Sequence, residues 1–140
     1  NPCAYMQFVG AIASDGISSS PYLVSEITSG GKVTYRAENI AGSRIMSSST
    51  AKTLQDMMRN TVQNYYGDES FAGLSVCAKS GTAEVGGDRK PNAMFTGFAA
   101  DEYYPLAFIV AIENGGYGRQ TCVPVLAPVL EACKAVLDAE

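Results

Sequence analysis

Histidine is absent from the chain, and that removes whole classes of chemistry. With no imidazole available as a base, a Ser-His-Asp triad is excluded, and a zinc site containing histidine is excluded with it. Cysteine is sparse: Cys3, Cys77, Cys122 and Cys133 form no CxxC pair and show no metal-ligand spacing. Four cysteines allow three pairings. Aliphatic content this high needs no covalent staples, however, and free, buried thiols are expected. Basic residues are few and form no run beyond the pair Arg89-Lys90, and the net charge is −4, which argues against a nucleic-acid partner. Long apolar runs are missing too. The best, Pro105 to Ile112, is strand-length and well under the roughly 18 residues that span a bilayer. Asn1-Pro2-Cys3 carries no initiator methionine and no signal-peptide n-region. The sequence therefore reads as an excised or processed piece that does not report its parent's compartment.

What is present suits a packed domain or a large piece of one. Of 140 residues, 46% are hydrophobic and 17% charged, so a core is expected and disorder is not. Asn1 followed by Pro2 predicts a helix start. Tyr5, Phe8, Val9, Ile12 and Ala13 recur at helical spacing, and Gly16 is placed to close that helix. Pro21 to Thr28 and Lys32 to Glu38 read as strands around Ser29-Gly30-Gly31. A second helix is predicted from Ser47-Ser48-Ser49, with Ala51, Leu54, Met58, Val62 and Tyr65 as its apolar stripe and Gly67 as its end. Three strands follow, from Leu74 to Ala83, Ala93 to Ala100 and Leu106 to Glu113. A last helix, from about Val123 to Leu137, carries Leu126, Val129, Leu130, Cys133 and Leu137 on one side, with Pro128 starting or kinking it. Short loops between strands imply antiparallel pairing. The expected class is α+β, an antiparallel sheet backed by helices, with no internal repeat.

One stretch looks like active-site machinery. Lys79-Ser80-Gly81-Thr82 lies near the end of the alternating run that begins at Leu74. A lysine and two hydroxyls flanking a glycine, on a strand, make an anion-binding and proton-managing edge, suited to a carboxylate beside an acyl carbon. The competing reading of Lys79 is a solvated edge-strand lysine that discourages aggregation. A [Lys/His]-[Ser/Thr]-Gly triplet arises by chance in roughly one chain of this length in ten, so the context has to decide.

The context is specific. Lys-Thr-Gly, with Ser-x-x-Lys and Ser-Asp-Asn, marks class A β-lactamases and penicillin-binding proteins. Lys79-Ser80-Gly81-Thr82-Ala83 resembles the Lys-Thr/Ser-Gly-Thr-Ala form of penicillin-binding transpeptidases. Ala93-Met94-Phe95-Thr96-Gly97-Phe98-Ala99 resembles the family's next strand, Ala-Trp-Phe-x-Gly-Phe-Ala, and Pro105 to Asn114, ending in Glu113-Asn114-Gly115-Gly116, resembles the strand after it. Pro2 to Gly16 resembles the helix that ends Ala-Ile-Ala-Asn-Gly-Gly. Arg44-Ile45-Met46-Ser47 into Ala51 and Leu54 resembles the helix before the lysine strand. Essentially the whole chain is covered, in family order. It resembles the C-terminal portion of a class B-like penicillin-binding protein, a D,D-transpeptidase, with a partial β-lactamase/transpeptidase-like fold over residues 1–140.

Two parts of the family signature stand apart. Ser-x-Asn has no match. Ser-x-x-Lys is matched by Ser29-Gly30-Gly31-Lys32, a glycine turn that holds neither side chain rigidly, and by Ser49-Thr50-Ala51-Lys52. Ser49 and Lys52 share a helix face and could be an activated serine beside a lysine base. The expected reading is a capping serine and a solvated lysine, because the family places a structural helix here. The nucleophile is then expected outside this chain.

The resemblance implies acyl transfer through a serine ester on the D-Ala-D-Ala end of a peptidoglycan stem peptide, with β-lactams as mimics, and it implies no cofactor and no metal. By the same analogy Lys79 supplies positive potential and relays protons. Ser80 and Thr82 hydroxyls grip the carboxylate, the Thr82 N–H is an oxyanion donor, and Gly81 lets a substrate strand approach. The parent is expected at the extracytoplasmic face of the bacterial cell membrane, anchored outside this chain. The isolated chain is expected to be inactive and to self-associate through the surface left by the missing half. Alternatives are a fragment of a serine β-lactamase or D,D-carboxypeptidase, and a non-catalytic sensor or scaffold module. Cys77, on the Lys79 face, is expected to be packed and not an activated thiol. Glu84, Asp88 and Arg89 read as solvated loop charges. Met57, Met58 and Met94 read as core, and Tyr65-Tyr66 and Tyr103-Tyr104 as packing at element ends.

Overall fold

The computed structural model describes residues 1–38 and 41–139, and its elements follow from local chemistry. Helix α1 (Pro2–Ala13) begins where predicted: Asn1 Oδ1 accepts the Cys3 N–H at 3.0 Å, satisfying a donor that the first turn leaves open. Past its end, Gly16 at φ 85° donates to the Ala11 carbonyl, a left-handed stop that glycine adopts freely. Two short strands that the sequence did not suggest, β1 (Ile17–Ser19) and β4 (Ala41–Arg44), pair antiparallel. Between them β2 (Glu26–Ser29) and β3 (Lys32–Arg36) form the predicted hairpin. β2 starts later than expected. Pro21 has no N–H for a ladder, and Tyr22, Leu23 and Val24 are exposed.

Helix α2 (Ser48–Thr61) is capped by the Ser47 hydroxyl, which accepts the Thr50 N–H at 3.1 Å. It runs on into a π turn, Val62–Tyr66, that ends at Gly67. In a π turn the bonds run i→i+5 and the chain rotates less per residue. The buried face after Val62 therefore falls on Tyr66, not on the predicted Tyr65: Tyr66 is 7% exposed and Tyr65 69%.

The main sheet holds β5 (Val76–Ala83), β6 (Asn92–Ala99) and β7 (Ala107–Ile112), all antiparallel in that order. Helix α3 (Gly118–Leu137) starts earlier than the predicted Val123 and takes both Pro124 and Pro128 inside it. Its length and average apolarity would suffice to cross a bilayer, although Arg119, Glu131 and Lys134 interrupt its apolar run. One side of it packs on the sheet, with Cys122, Leu126 and Leu130 buried.

Strand alternation gives the sheet two packed faces. On one, Val9 and Ile12 of α1 and Met58 of α2 meet Cys77 and Phe98. On the other, Cys122, Leu126 and Leu130 of α3 join Val62, Tyr66, Val76, Ala78, Phe95 and Phe108. Each large side chain removed from water there contributes about 1.5–3 kcal/mol. The α+β expectation is met, with corrections at single residues. Met57 is exposed beside buried Met58, and of the predicted stripes Tyr5, Phe8, Ala13 and Val129 stay exposed. All four cysteines are free; Cys77 and Cys122 are buried, but Cys3 sits exposed in the first turn of α1.

Candidate functional site

Among the described residues β5 pairs with β6 on one side only, so alternate backbone groups point outward from an open edge. Two hydrogen bonds fix which ones. The Ser80 N–H donates to the Tyr66 hydroxyl at 2.9 Å, and the Val76 carbonyl accepts Arg59 Nη1 at 3.0 Å. Neither partner belongs to β6, so the even-numbered residues face outward. The register is unbroken from Val76↔Ala99 to Ala83↔Asn92, which puts the Thr82 N–H and carbonyl on the same open side. Arg59 and Tyr66 thus cover the first half of the edge, and the second half begins at Thr82.

The motif straddles this edge. Lys79 shares its face with Cys77 and Thr96, bordering a groove of about 320 Å³ that Tyr5, Phe8, Met57 and Thr61 also line. Its side chain is exposed, and Nζ donates to the Ser80 carbonyl at 2.9 Å, around the rim of the strand. Ser80 and Thr82 lie on the α3 face. Ser80 Oγ accepts from the Tyr66 hydroxyl at 2.8 Å, and Thr82 Oγ1 accepts the Gly118 N–H at 3.4 Å. Both hydroxyls are held as acceptors, so each keeps its own proton to give away. This is the arrangement that a carboxylate, an acceptor only, requires.

Gly81 has no packing reason to be glycine. A Cβ there would meet only Met94 Cβ, at 3.4 Å. Gly118 has every reason: a Cβ on it would run into the Met94 carbonyl oxygen and lie 2.5 Å from that of Gly81. The close approach of α3 brings its first N–H to Thr82.

Charges around the strand are structural. Arg59 grips Asp68 through both carboxylate oxygens, at 2.5 and 2.7 Å, and its guanidinium holds that carboxyl below the usual range. The Cys77 thiol is pushed up by burial; the cations that oppose this are Arg59 and Lys52, not Lys79, and the thiol is a packed side chain. Ser49 Oγ is engaged with Ser47 Oγ at 2.9 Å, while Lys52 Nζ donates to Asp56 at 2.8 Å. Serine and lysine point to different partners, and no dyad is assembled. Ser29 and Lys32 face each other across an exposed hairpin end. Glu84, Asp88 and Arg89 are exposed on their loop.

Sequence reading missed Tyr66, Arg59 and Gly118 as parts of this site. The only available signal was a tyrosine pair before a glycine at a helix end, and 3.6-residue periodicity selected the wrong member of that pair.

Residues 1–131 match the family model for the penicillin binding protein transpeptidase domain. The chain is 32% identical over 119 residues to the peptidoglycan D,D-transpeptidase PbpA of Mycolicibacterium smegmatis, covering 82% of this chain and 24% of the relative. It is 28% identical to PbpA of Mycobacterium tuberculosis, covering 94% of this chain and 28% of the relative. Among solved structures, the ceftriaxone acyl-enzyme complex of M. tuberculosis penicillin-binding protein A superposes with a TM-score of 0.84 at 26% identity, covering 94% of this chain and 32% of that one. The D,D-transpeptidase domain of a peptidoglycan glycosyltransferase from Eggerthella lenta gives 0.75 at 28% identity, covering 96% and 31%. The chain therefore spans about a quarter to a third of the length of these relatives. With nearly all of its residues inside one family model and its fold shared with those structures, the chain belongs to the penicillin-binding protein transpeptidase domain family.

Proposed function

We propose that residues 1–140 form the lysine-strand wall of a D,D-transpeptidase site that cross-links peptidoglycan stem peptides, and that the serine nucleophile is supplied by sequence outside them. The single observation that carries this is the open half of β5. An outward-facing Thr82 amide stands beside the Lys79 ammonium and two hydroxyls whose protons are free.

The chemistry follows from those groups. Lys79 supplies positive potential where negative charge collects and passes protons between the serine and the leaving amine. Ser80 and Thr82 donate to the terminal carboxylate of D-Ala-D-Ala, or to that of a β-lactam. The Thr82 N–H receives the developing oxyanion; losing one such donor costs about 2.7–4 kcal/mol of transition-state stabilisation. Gly81 keeps the edge bare for an incoming peptide strand. Relatives named as peptidoglycan D,D-transpeptidases, and one solved as a ceftriaxone acyl-enzyme, support this reading. Such a substrate places the parent at the extracytoplasmic face, with its membrane anchor in sequence beyond these residues.

A fluorescent penicillin tests the proposal. The full-length protein that carries this sequence is expected to keep the label after denaturation, and Lys79→Ala to label about a hundredfold more slowly or worse. The 140-residue chain alone is expected to stay unlabelled, since Ser49 and Lys52 are held apart. A full-length protein that takes no label would favour a non-catalytic scaffold, and labelling of the isolated chain would return Ser49 as nucleophile.

A further inference from the structure

The transpeptidase reading makes no use of Tyr66, although this residue makes the tightest contact with the motif. Its hydroxyl closes a two-bond clasp on one residue, accepting the Ser80 N–H at 2.9 Å and donating to Ser80 Oγ at 2.8 Å. The ring is buried and meets Phe95 edge-on, with centroids 5.1 Å apart. Phe95 is itself the cross-strand partner of Ser80. Arg119 Nη2 holds the Tyr66 carbonyl at 3.2 Å. A phenylalanine would fill the same space, so the hydroxyl is not needed for packing.

Two consequences follow from proton accounting. Ser80 Oγ receives the tyrosine's proton, so its own proton must point to another acceptor. The Ser80 N–H is also consumed, so a ligand backbone that adds to the β5 edge has to pair from Thr82 onward and not one step earlier. A serine hydroxyl with three rotamers and no fixed partner would spend part of its time pointing elsewhere.

We propose that Tyr66 is a positioning residue that fixes the Ser80 hydroxyl as proton donor to a ligand carboxylate. This rests on the transpeptidase reading, and it concerns how that site selects a carboxylate.

The test uses the full-length protein with two probes, benzylpenicillin and its methyl ester, and reads the second-order acylation rate of each. In Tyr66→Phe the ratio of the acid's rate to the ester's is expected to fall about tenfold, the size of one hydrogen bond to a charged group. In a Ser80→Ala background, Tyr66→Phe is expected to change that ratio no further. Equal slowing of both probes would make the tyrosine a purely structural residue and overturn the inference. So would effects of the two substitutions that multiply independently. If the unsubstituted protein reacts with neither probe, the transpeptidase reading fails and the inference falls with it, an outcome separate from the others because the unsubstituted protein already reveals it.

Discussion

Two glycines at the candidate site are there for opposite reasons, and substitution separates them. Gly118→Ala would force a methyl group onto the backbone oxygens of Met94 and Gly81, and neither can yield without moving a strand. The expected loss is about 1–3 kcal/mol of stability, read from urea denaturation. Gly81→Ala meets only Met94 Cβ at an ordinary contact distance, so its unfolding midpoint is expected to hardly change. Acylation of the full-length protein by a penicillin is expected to slow by about tenfold or more, because the new methyl group holds the ligand off the strand. If Gly81→Ala unfolds the protein as Gly118→Ala does, the glycine serves the fold and the functional reading of the edge weakens. Asp68 offers a second test at this scale. Its carboxyl is lowered by the hydrogen bonds from Arg59, with desolvation opposing. A lowered folded-state pKa means that the stabilisation is fully present above the unfolded value of about 3.9 and is lost as pH falls through the native one. Asp68 is half exposed, so Asp68→Asn is expected to cost about 1 kcal/mol or less at pH 7. That gap should close only in acid, once the pH has fallen below the ordinary carboxylate range and through the lowered native value. A gap that persists there would assign the loss to something other than the ion pair. The chemistry of Lys79, Ser80, Gly81 and Thr82 was legible because it rests on residue types in a row. Tyr66 and Gly118 were not, because each reaches the motif through space from another element.

At the scale of elements, legibility tracked periodicity. β5, β6 and β7 lie nearly where alternation placed them, since β6 buries one whole face and Val76 and Ala78 of β5 and Phe108 of β7 are buried on the same side. β1 and β4 went unread because Ile17-Ser18-Ser19 and Ala41-Gly42-Ser43-Arg44 carry no apolar alternation, and pairing alone defines them. α3 starts ahead of the predicted Val123 at Gly118, where the absence of a Cβ allows close approach to the sheet. The end of α2 is the most instructive. An α-helical period continued past Val62 selects Tyr65, and the π turn turns Tyr66 inward in its place. The prediction is direct. Tyr66→Ala is expected to cost about 3–5 kcal/mol, as for other buried aromatics, while Tyr65→Ala should stay within about 0.5 kcal/mol of the parent sequence. Thermal unfolding of the two variants decides it, and equal effects would mean that the helix ends without the extra residue per turn. Because the clasp on Ser80 depends on that turn, the register of a helix end and the geometry of the strand edge are one structural fact.

For the molecule as a whole, the two faces of the sheet are unequally covered. The α3 side is closed by a continuous aromatic and aliphatic layer, with Phe71, Phe95 and Phe108 stacked at 6.1 and 6.3 Å. On the other side α1 leaves a groove between itself and α2, edged by Tyr5 at 46%, Phe8 at 43% and Met57 at 62% exposure. A second apolar hollow follows, lined by Met94, Ile109 and Ile112. Among the described residues β7 also has no partner on its far edge. An apolar surface of this kind, bordered by an unpaired strand, favours association. The 140-residue chain expressed alone is therefore expected to show a light-scattering mass that rises with concentration above its 14.7 kDa. Phe8→Lys combined with Met57→Lys is expected to return it toward the monomer. Lys79 borders the same groove, so association through this face should also slow acetylation of Lys79, read by mass spectrometry, as concentration rises. A clean monomer at high micromolar concentration, with Lys79 equally reactive throughout, would mean that this face is stable in water. It would then need no covering wall, and the site would have no physical reason to be completed from outside these residues.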